Sequence, residues 1–204
     1  MSDLSVQGLV RCSWAATRPG PDFELYLNYH DREWGRPLHD GVALFERMSL
    51  EAFQSGLSWL IILRKRENFR SAFSGFDIET VAGYTDADVQ RLMDDEGIVR
   101  NRAKIEATIA NARAAADLGS SEDLSKLLWS FAPSPRPRPA DGSEIPSTTA
   151  ESKAMARELK RRGFRFVGPT TAYALMQATG MVDDHIRGCW VPSPGDDAGR
   201  ERPA

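Results

Sequence analysis

Cysteine and histidine are scarce in this chain, and their placement is uneven. Of two cysteines and three histidines, Cys12 and His30 lie near the N-terminus, His185 and Cys189 lie near the other end, and His39 is the spare. Sulfur and imidazole nitrogen together suit zinc, whereas calcium and magnesium want oxygen ligands. In TGMVDDHIRGCW, His185 and Cys189 stand four residues apart, so one turn of helix would put both on one face. A Cys2His2 set made entirely of protein atoms leaves no open coordination position. Its role would be structural, tying the two ends of the chain together. Spacing alone leaves alternatives open, because no close CxxC pair is present. The same residues also fit ordinary buried cysteines and histidines, or a Cys12–Cys189 disulfide.

A second cluster carries charge. In LKRRGFRFVGPTTAYALMQATG, Gly163 and Gly168 bracket a tight reversal between two helices. Phe164, Phe166 and Val167 can pack its inner side, and Pro169 suits the first turn of the second helix, where a missing N–H costs nothing. Backbone N–H groups of Gly168, Thr170 and Thr171 would then face outward at a helix N-terminus, a natural seat for phosphate. Lys160, Arg161, Arg162 and Arg165 add positive charge beside it. This pattern predicts a hairpin over 163–168 that grips a DNA backbone without reading sequence. A solvated basic helix end followed by a glycine turn has the same pattern.

The elements that must position these groups are helical nearly throughout. DGVALFERMSLEAFQSG offers Asp40 as a cap and then apolar residues at helical spacing until Gly56. Ser58 can cap the next helix, which ends near Gly75, and a third begins at Thr85 or Asp86. GIVRNRAKIEATIANARAAADLG places Ile98, Ile105, Ile109 and Ala112 on one face. SEDLSKLLWSFAP is a short helix closed by Pro133, and TAESKAMARELKRRG starts with a cap and a nearby glutamate. PSPRPRPADGSEIPSTT between them reads as irregular, its PRPRP as a spacer. No stretch alternates with period two. The expectation is an all-α fold of roughly eight or more helices with little or no sheet.

With 204 residues, 41% of them hydrophobic, the chain can bury one domain core or two small lobes. Its 26 basic and 29 acidic residues give a net charge of -3, which neither predicts nor forbids a nucleic-acid partner. MSDLSVQGLV lacks the pattern of a signal peptide, and WLIIL is too short to span a bilayer. The expected location is therefore the cytoplasm or nucleoid, with a monomer as the default and no membrane or obligate protein partner. Residues 193–204 read as a flexible tail.

CSWA, YLNYHDREWGRP, LFERMSLEAFQSGLSWLIILRKRENFRSAF, GIVRNRAKIEATIANA and GFRFVGPTTAYALMQATGMVDDHIRGC together resemble the type I DNA-3-methyladenine glycosylases, a branch of the helix-hairpin-helix superfamily. The resemblance spans about residues 10–192. It implies two helical lobes with a cleft between them: a zinc-bearing lobe from the N- and C-terminal segments, and a DNA-binding lobe from the central helices and the hairpin. It also implies one structural zinc on Cys12, His30, His185 and Cys189, leaving His39 as a surface bystander. For the base pocket it implies Glu51 as the carboxylate, Trp59 as the ring stacking on a flipped base, and Tyr26 and Tyr29 as pocket tyrosines. Trp14, with Trp34 less closely matched, falls on the aromatic wall. Gly56 and Leu57 match the loop that enters the duplex, and Lys160, Arg162, Gly163, Arg165, Gly168, Thr170 and Thr171 belong to the phosphate clamp.

Elementary chemistry is compatible with those roles. A cationic methylated purine is electron-poor and stacks well on an indole, and a carboxylate in a dry pocket favours the positive charge. A helical glutamate on the surface and a tryptophan in the core read equally well from the residues alone. Two departures bear on the reaction. Lyase-competent relatives carry a lysine after the hairpin glycine, where this chain has Thr170. The wider superfamily places a catalytic aspartate where Asp183 stands, a position that is asparagine in the type I branch. Asp183 could stabilise charge on the sugar or could cap the segment bearing His185 and Cys189. The implied reaction is hydrolysis of 3-methyladenine from alkylated duplex DNA. The alternative is a zinc-stabilised helical module that binds DNA without excising anything. Threonine cannot form a Schiff base, so borohydride treatment of the protein on abasic-site DNA is expected to yield no covalent adduct; a trapped complex contradicts the monofunctional assignment.

Overall fold

The computed structural model describes residues 5, 6, 8–17 and 20–193. The expected flexible tail lies, from residue 194 on, outside the described residues. Ten α-helices make up the described fold: α1 (Ser13–Ala16), α2 (Phe23–Arg32), α3 (Gly41–Gln54), α4 (Trp59–Ala72), α5 (Ile78–Ala82), α6 (Asp86–Asp94), α7 (Arg102–Ala116), α8 (Ser121–Trp129), α9 (Ala150–Arg161) and α10 (Pro169–Ala178). The sheet is one antiparallel ladder of two-residue strands, β1 (Ser5–Val6) and β2 (Leu9–Val10). The all-α expectation holds. No helix among the described residues is long and apolar enough to cross a membrane.

The chain forms two compact units. The first joins the described residues up to Pro37 with Pro133–Ser147 and the residues from Gln177 on; the second takes Leu38–Ala132 and Thr148–Met176.

In the second unit the helix starts follow local chemistry. Asp40 accepts a hydrogen bond from the Ala43 N–H at 2.8 Å, and Thr85 with Asp88 forms a reciprocal capping box. α7 begins later than the apolar pattern implies. Asn101 takes the Lys104 N–H at 3.1 Å and starts the helix at Arg102, so Ile98 is buried from a turn rather than from a helical face. α9 opens with a reciprocal pair between Thr149 and Ser152, and Glu151 lies in its first turn. Ser58 precedes α4 without a side-chain capping bond. The core is aromatic: Phe45, Phe53, Phe69, Phe73 and Phe76 are fully buried, with Phe73 and Phe76 stacked at 5.4 Å.

The first unit has little regular structure. Among the described residues, the segment after α10 carries no helix, contrary to the four-residue spacing of His185 and Cys189. A turn closed by the Cys189 N–H on the Ile186 carbonyl, at 3.0 Å, brings them round instead. The proline segment is not a mere spacer. Arg136 bonds Asp184 at 2.6 Å, Arg138 bonds Asp183 and the Val191 carbonyl, each at 2.8 Å, and the Pro139 carbonyl accepts from the Arg187 N–H at 2.7 Å. Proline supplies a pre-extended chain, and the two arginines fasten it as a strap across the ligand-bearing segment.

The approach of α3 to α8 leaves no room for a side chain at Gly41, where a Cβ would lie 2.0 Å from the Ser121 carbonyl oxygen. Gly41→Ala is expected to lower stability by about 1–3 kcal/mol in urea denaturation, through forced separation of the two backbones.

Candidate functional site: a Cys2His2 centre and a buried carboxylate

In the first unit, Cys12, His30, His185 and Cys189 are all buried, and one donor atom from each lies within 4.8 Å of every other. The Cys12 sulfur is 3.6 Å from His185 Nδ1, and the Cys189 sulfur is 3.6 Å from His30 Nε2 and 3.5 Å from His185 Nδ1. Bond lengths of about 2.3 Å to sulfur and 2.0–2.1 Å to nitrogen give a tetrahedral S···N edge of about 3.6 Å. The donors therefore fit one zinc ion with no open position. Both cysteines are free of disulfides.

The surroundings orient the ligands. His30 Nδ1 pairs with Asp31 Oδ1 at 2.7 Å, leaving Nε2 for the metal, and His185 Nε2 meets the Trp34 carbonyl at 3.1 Å, leaving Nδ1. Asp31 is in turn gripped by Arg11, at 2.8 to 3.1 Å, and by the Trp190 indole at 3.1 Å. Burial would raise the Asp31 carboxyl, but His30 and Arg11 outweigh it and hold it down at about 2. Burial likewise opposes charge on His30, yet Asp31 and the Cys189 sulfur keep its pKa above the ordinary value. A hydrogen bond shared by the two sulfurs, with burial behind it, pushes the Cys12 thiol up, and the same bond draws Cys189 well below the usual thiol range. Gly35, at φ 74°, is demanded by the site, since a Cβ there would come within 2.9 Å of His185 Nε2.

Around this centre Trp14 lies edge-on to Tyr26 at 5.6 Å, to His30 at 5.3 Å and to Trp34 at 5.1 Å, and tilted to Tyr29 at 6.2 Å. The two tyrosines are buried on α2 and Trp14 is half-buried on α1. Asp183 is fully engaged. Its Oδ1 accepts from the His185 N–H at 3.3 Å and its Oδ2 from Arg138 at 2.8 Å.

In the second unit Glu51 is buried near the end of α3. Desolvation lifts its carboxyl to about 7, against the opposing pull of the Arg47 guanidinium one turn earlier. That guanidinium lies 6.0 Å from the centre of the Trp59 ring, so one buried cation is coupled to both residues. The turn between them is tightly specified. The Gln54 side chain donates to the Leu57 carbonyl at 2.6 Å, and the Leu57 N–H returns to the Gln54 carbonyl at 2.7 Å. Lys104, from α7, donates to the Phe53 and Ser55 carbonyls and so caps the helix end before Gly56. Gly56 is exposed at φ 82° and Leu57 is partly exposed.

The hairpin is equally well defined. α9 ends in a Schellman motif: the Gly163 N–H bonds the Lys160 carbonyl at 3.1 Å and the Phe164 N–H reaches the Leu159 carbonyl at 3.0 Å. Gly168 opens α10, with Thr170 exposed and Thr171 partly exposed in its first turn. Lys160 and Arg165 are exposed. Arg161 and Arg162 both bond Glu158, so part of the basic run is neutralised locally. Phe164 and Val167 pack inward, but Phe166 does not: it is 42% exposed. His39 is also exposed and stacks on Trp129 at 4.1 Å.

A family model for methyladenine glycosylases matches residues 20–192. The chain belongs to the methyladenine glycosylase family. It is 45% identical to DNA-3-methyladenine glycosylase 1 of Escherichia coli over 183 residues, covering 88% of this chain and 95% of that one. The corresponding Haemophilus influenzae protein is 42% identical, with 88% and 96% covered. A crystal structure of 3-methyladenine DNA glycosylase I, 44% identical, superposes with a TM-score of 0.83, covering 90% of this chain and all of that one. A Staphylococcus aureus structure that addresses 3-methyladenine recognition by that enzyme gives 0.82 at 35% identity, with 90% and 97% covered. The Cys2His2 centre agrees with the zinc expected of this family.

Residue types at helical spacing carried no signal for Arg47, Lys104, Asn111 or Arg138. Arg47 stands at i−4 from Glu51, a spacing that places it beside the carboxylate. Nothing local marks the other three. The purified protein is expected to hold one zinc per chain by elemental analysis; Cys189→Ser should abolish that stoichiometry and lower Tm, and zinc retained at one equivalent removes Cys189 from the ligand set.

Proposed function

We propose that the chain excises 3-methyladenine from alkylated duplex DNA by hydrolysing the N-glycosidic bond, with Glu51 and Trp59 as its base-recognition pair. Family membership supports the activity. The observation that carries the site is a buried carboxylate, its pKa raised to about 7, that shares the Arg47 guanidinium with the Trp59 ring. DNA work of this kind belongs to the cytoplasm, at the nucleoid.

A base still in the stack is out of reach, so the damaged nucleotide must turn out of the duplex. Gly56 and Leu57, fixed by Gln54 and Lys104, enter the space it leaves. Lys160, Arg162, Arg165 and the hairpin from Gly163 through Gly168 to Thr170 and Thr171 hold phosphates at the N-terminus of α10. The methylated purine is cationic and stacks on Trp59. Ionised Glu51 accepts hydrogen bonds from the purine edge and favours its charge in a water-poor setting. In the first unit, Tyr26, Tyr29 and Trp14 form an aromatic cluster at the metal centre.

Methylation at N3 does most of the activating. When the bond from C1′ to N9 breaks, its electron pair neutralises the purine, so a neutral base leaves without prior protonation. Water forms the new bond to C1′ and releases one proton. The products are free 3-methyladenine and an abasic site. Zinc would supply only structure, holding the segment that bears Trp14, Tyr26 and Tyr29 to the one that bears His185 and Cys189. We assign Asp183 the same supporting task, because both of its oxygens are committed to the His185 backbone and Arg138.

Chromatography of methylated duplex DNA incubated with the protein should show released 3-methyladenine; duplex binding with no released base would favour the non-enzymatic module. Glu51→Gln should slow single-turnover excision on the order of 10²-fold with duplex affinity unchanged. Wild-type excision should rise with pH through about 7 as Glu51 ionises, and the variant should lose that limb. The folded-state pKa lies above the ordinary 4.5, so burying Glu51 costs no stability below that value and an increasing amount as pH rises through about 7. Glu51→Gln should therefore raise Tm more at about pH 8 than at about pH 5. A variant with wild-type excision rates refutes the role of Glu51.

A further inference from the structure

Three described residues other than glycine adopt positive φ: Ser74 at 51°, Phe76 at 59° and Phe166 at 54°. That region crowds a side chain against its own backbone, so each needs a compensating interaction. Phe76 has one in the core, fully buried against Phe73 at 5.4 Å and Phe45 at 6.2 Å. Ser74 has one in the Tyr84 hydroxyl at 2.8 Å. Phe166 is different. Its ring is one of two large apolar side chains left exposed among the described residues, and core packing does not account for its conformation.

The backbone beside Phe166 is held from below. Asn111, fully buried on α7, accepts the Arg165 N–H at 2.6 Å and donates its side-chain amide to the Arg165 carbonyl at 3.1 Å. One side chain thus pairs both polar groups of a single residue, as a neighbouring strand would. Phe164 and Val167 are buried on either side of this clamp, which leaves Phe166 to point outward. In the chain it stands between the exposed Arg165 and the start of α10, both of which attract anions.

We propose that Phe166 is a DNA contact, an aromatic ring held outward by the Asn111 clamp to lie against the apolar sugar face of the backbone between the phosphates that the hairpin grips. The inference rests on the duplex-binding reading above. A DNA strand alternates charged phosphates with apolar deoxyribose surface, and a cationic turn bearing one exposed ring matches both. A protein surface would not need the surrounding positive charge. The contact adds apolar burial and no charge, so it strengthens binding to any duplex, damaged or not, without releasing counterions.

Phe166→Gly tests this directly, because glycine removes the ring and also relieves the left-handed backbone. Fluorescence anisotropy on undamaged duplex across a salt series should show affinity weaker on the order of tenfold, the effect of losing a part-buried ring. The slope of log Kd against log salt should be unchanged, and Tm no lower than that of the wild type. Phe166→Ala should lose affinity to a similar degree. Binding of free 3-methyladenine, followed by tryptophan fluorescence, should not change in either variant. A Phe166→Gly protein that binds duplex as tightly as the wild type overturns the proposal, as does one whose loss is accompanied by a flatter salt slope, which would assign the effect to displaced charges. If the wild type itself shows no salt-dependent duplex affinity, the DNA-binding reading falls, and this inference with it; wild-type binding with an indifferent Phe166 sinks the inference alone.

Discussion

Two sulfurs and two imidazoles buried within 4.8 Å of one another form a donor set that fits one zinc ion. Cysteine binds zinc as thiolate, and buried thiolates need a cation at their centre. The first unit depends on that centre because it has little else. Its described secondary structure is little more than a four-residue helix, a ten-residue helix, a three-residue 3-10 turn at Gly142–Glu144 and a two-residue ladder. Segments from three distant parts of the sequence converge there: β2 hands its Val10 carbonyl to Trp190, Arg11 locks Asp31 behind His30, and the proline strap holds Asp183 and Asp184. Each is an outer support for a ligand or for the residue beside one.

The second unit works by the opposite economy. Its helices bury a core rich in phenylalanine and most are capped at their starts, so it can tolerate local departures from good folding practice. Two of them lie where the proposed chemistry does. Glu51 is a carboxylate with little water around it, offset only in part by Arg47. Phe166 is a bulky residue in a glycine-like conformation with its ring exposed. Residues that break local rules without a structural return are where function is most economically sought. Lys104 and Asn111 have the complementary role. Both reach from α7, one to the turn before Gly56 and the other to the hairpin before Phe166. One rigid helix thereby fixes both elements proposed to meet DNA.

The sequence by itself determined the helical class, most helix starts and the four-residue ligand inventory. Those features follow from local rules: apolar spacing, caps that accept an N–H three residues on, and the scarcity of cysteine and histidine. It also carried the family, through motifs spread over nearly the whole chain. The tertiary structure decided the rest. His185 and Cys189 meet through a turn rather than a helix, because three distant segments, not local hydrogen bonds, shape that stretch. PRPRP became a strap because its arginines found Asp183 and Asp184, some 45 to 48 residues away. Phe166 turned outward, where hydrophobicity placed it inside, because Asn111, 54 residues away, holds the neighbouring peptide. Arg47, Lys104 and Asn111 look like ordinary helical residues in sequence, and only the packing of one helix against the end of another gives a buried charge or amide its partner. Periodicity reports which face of a helix is buried; which polar group it meets there is settled by long-range packing.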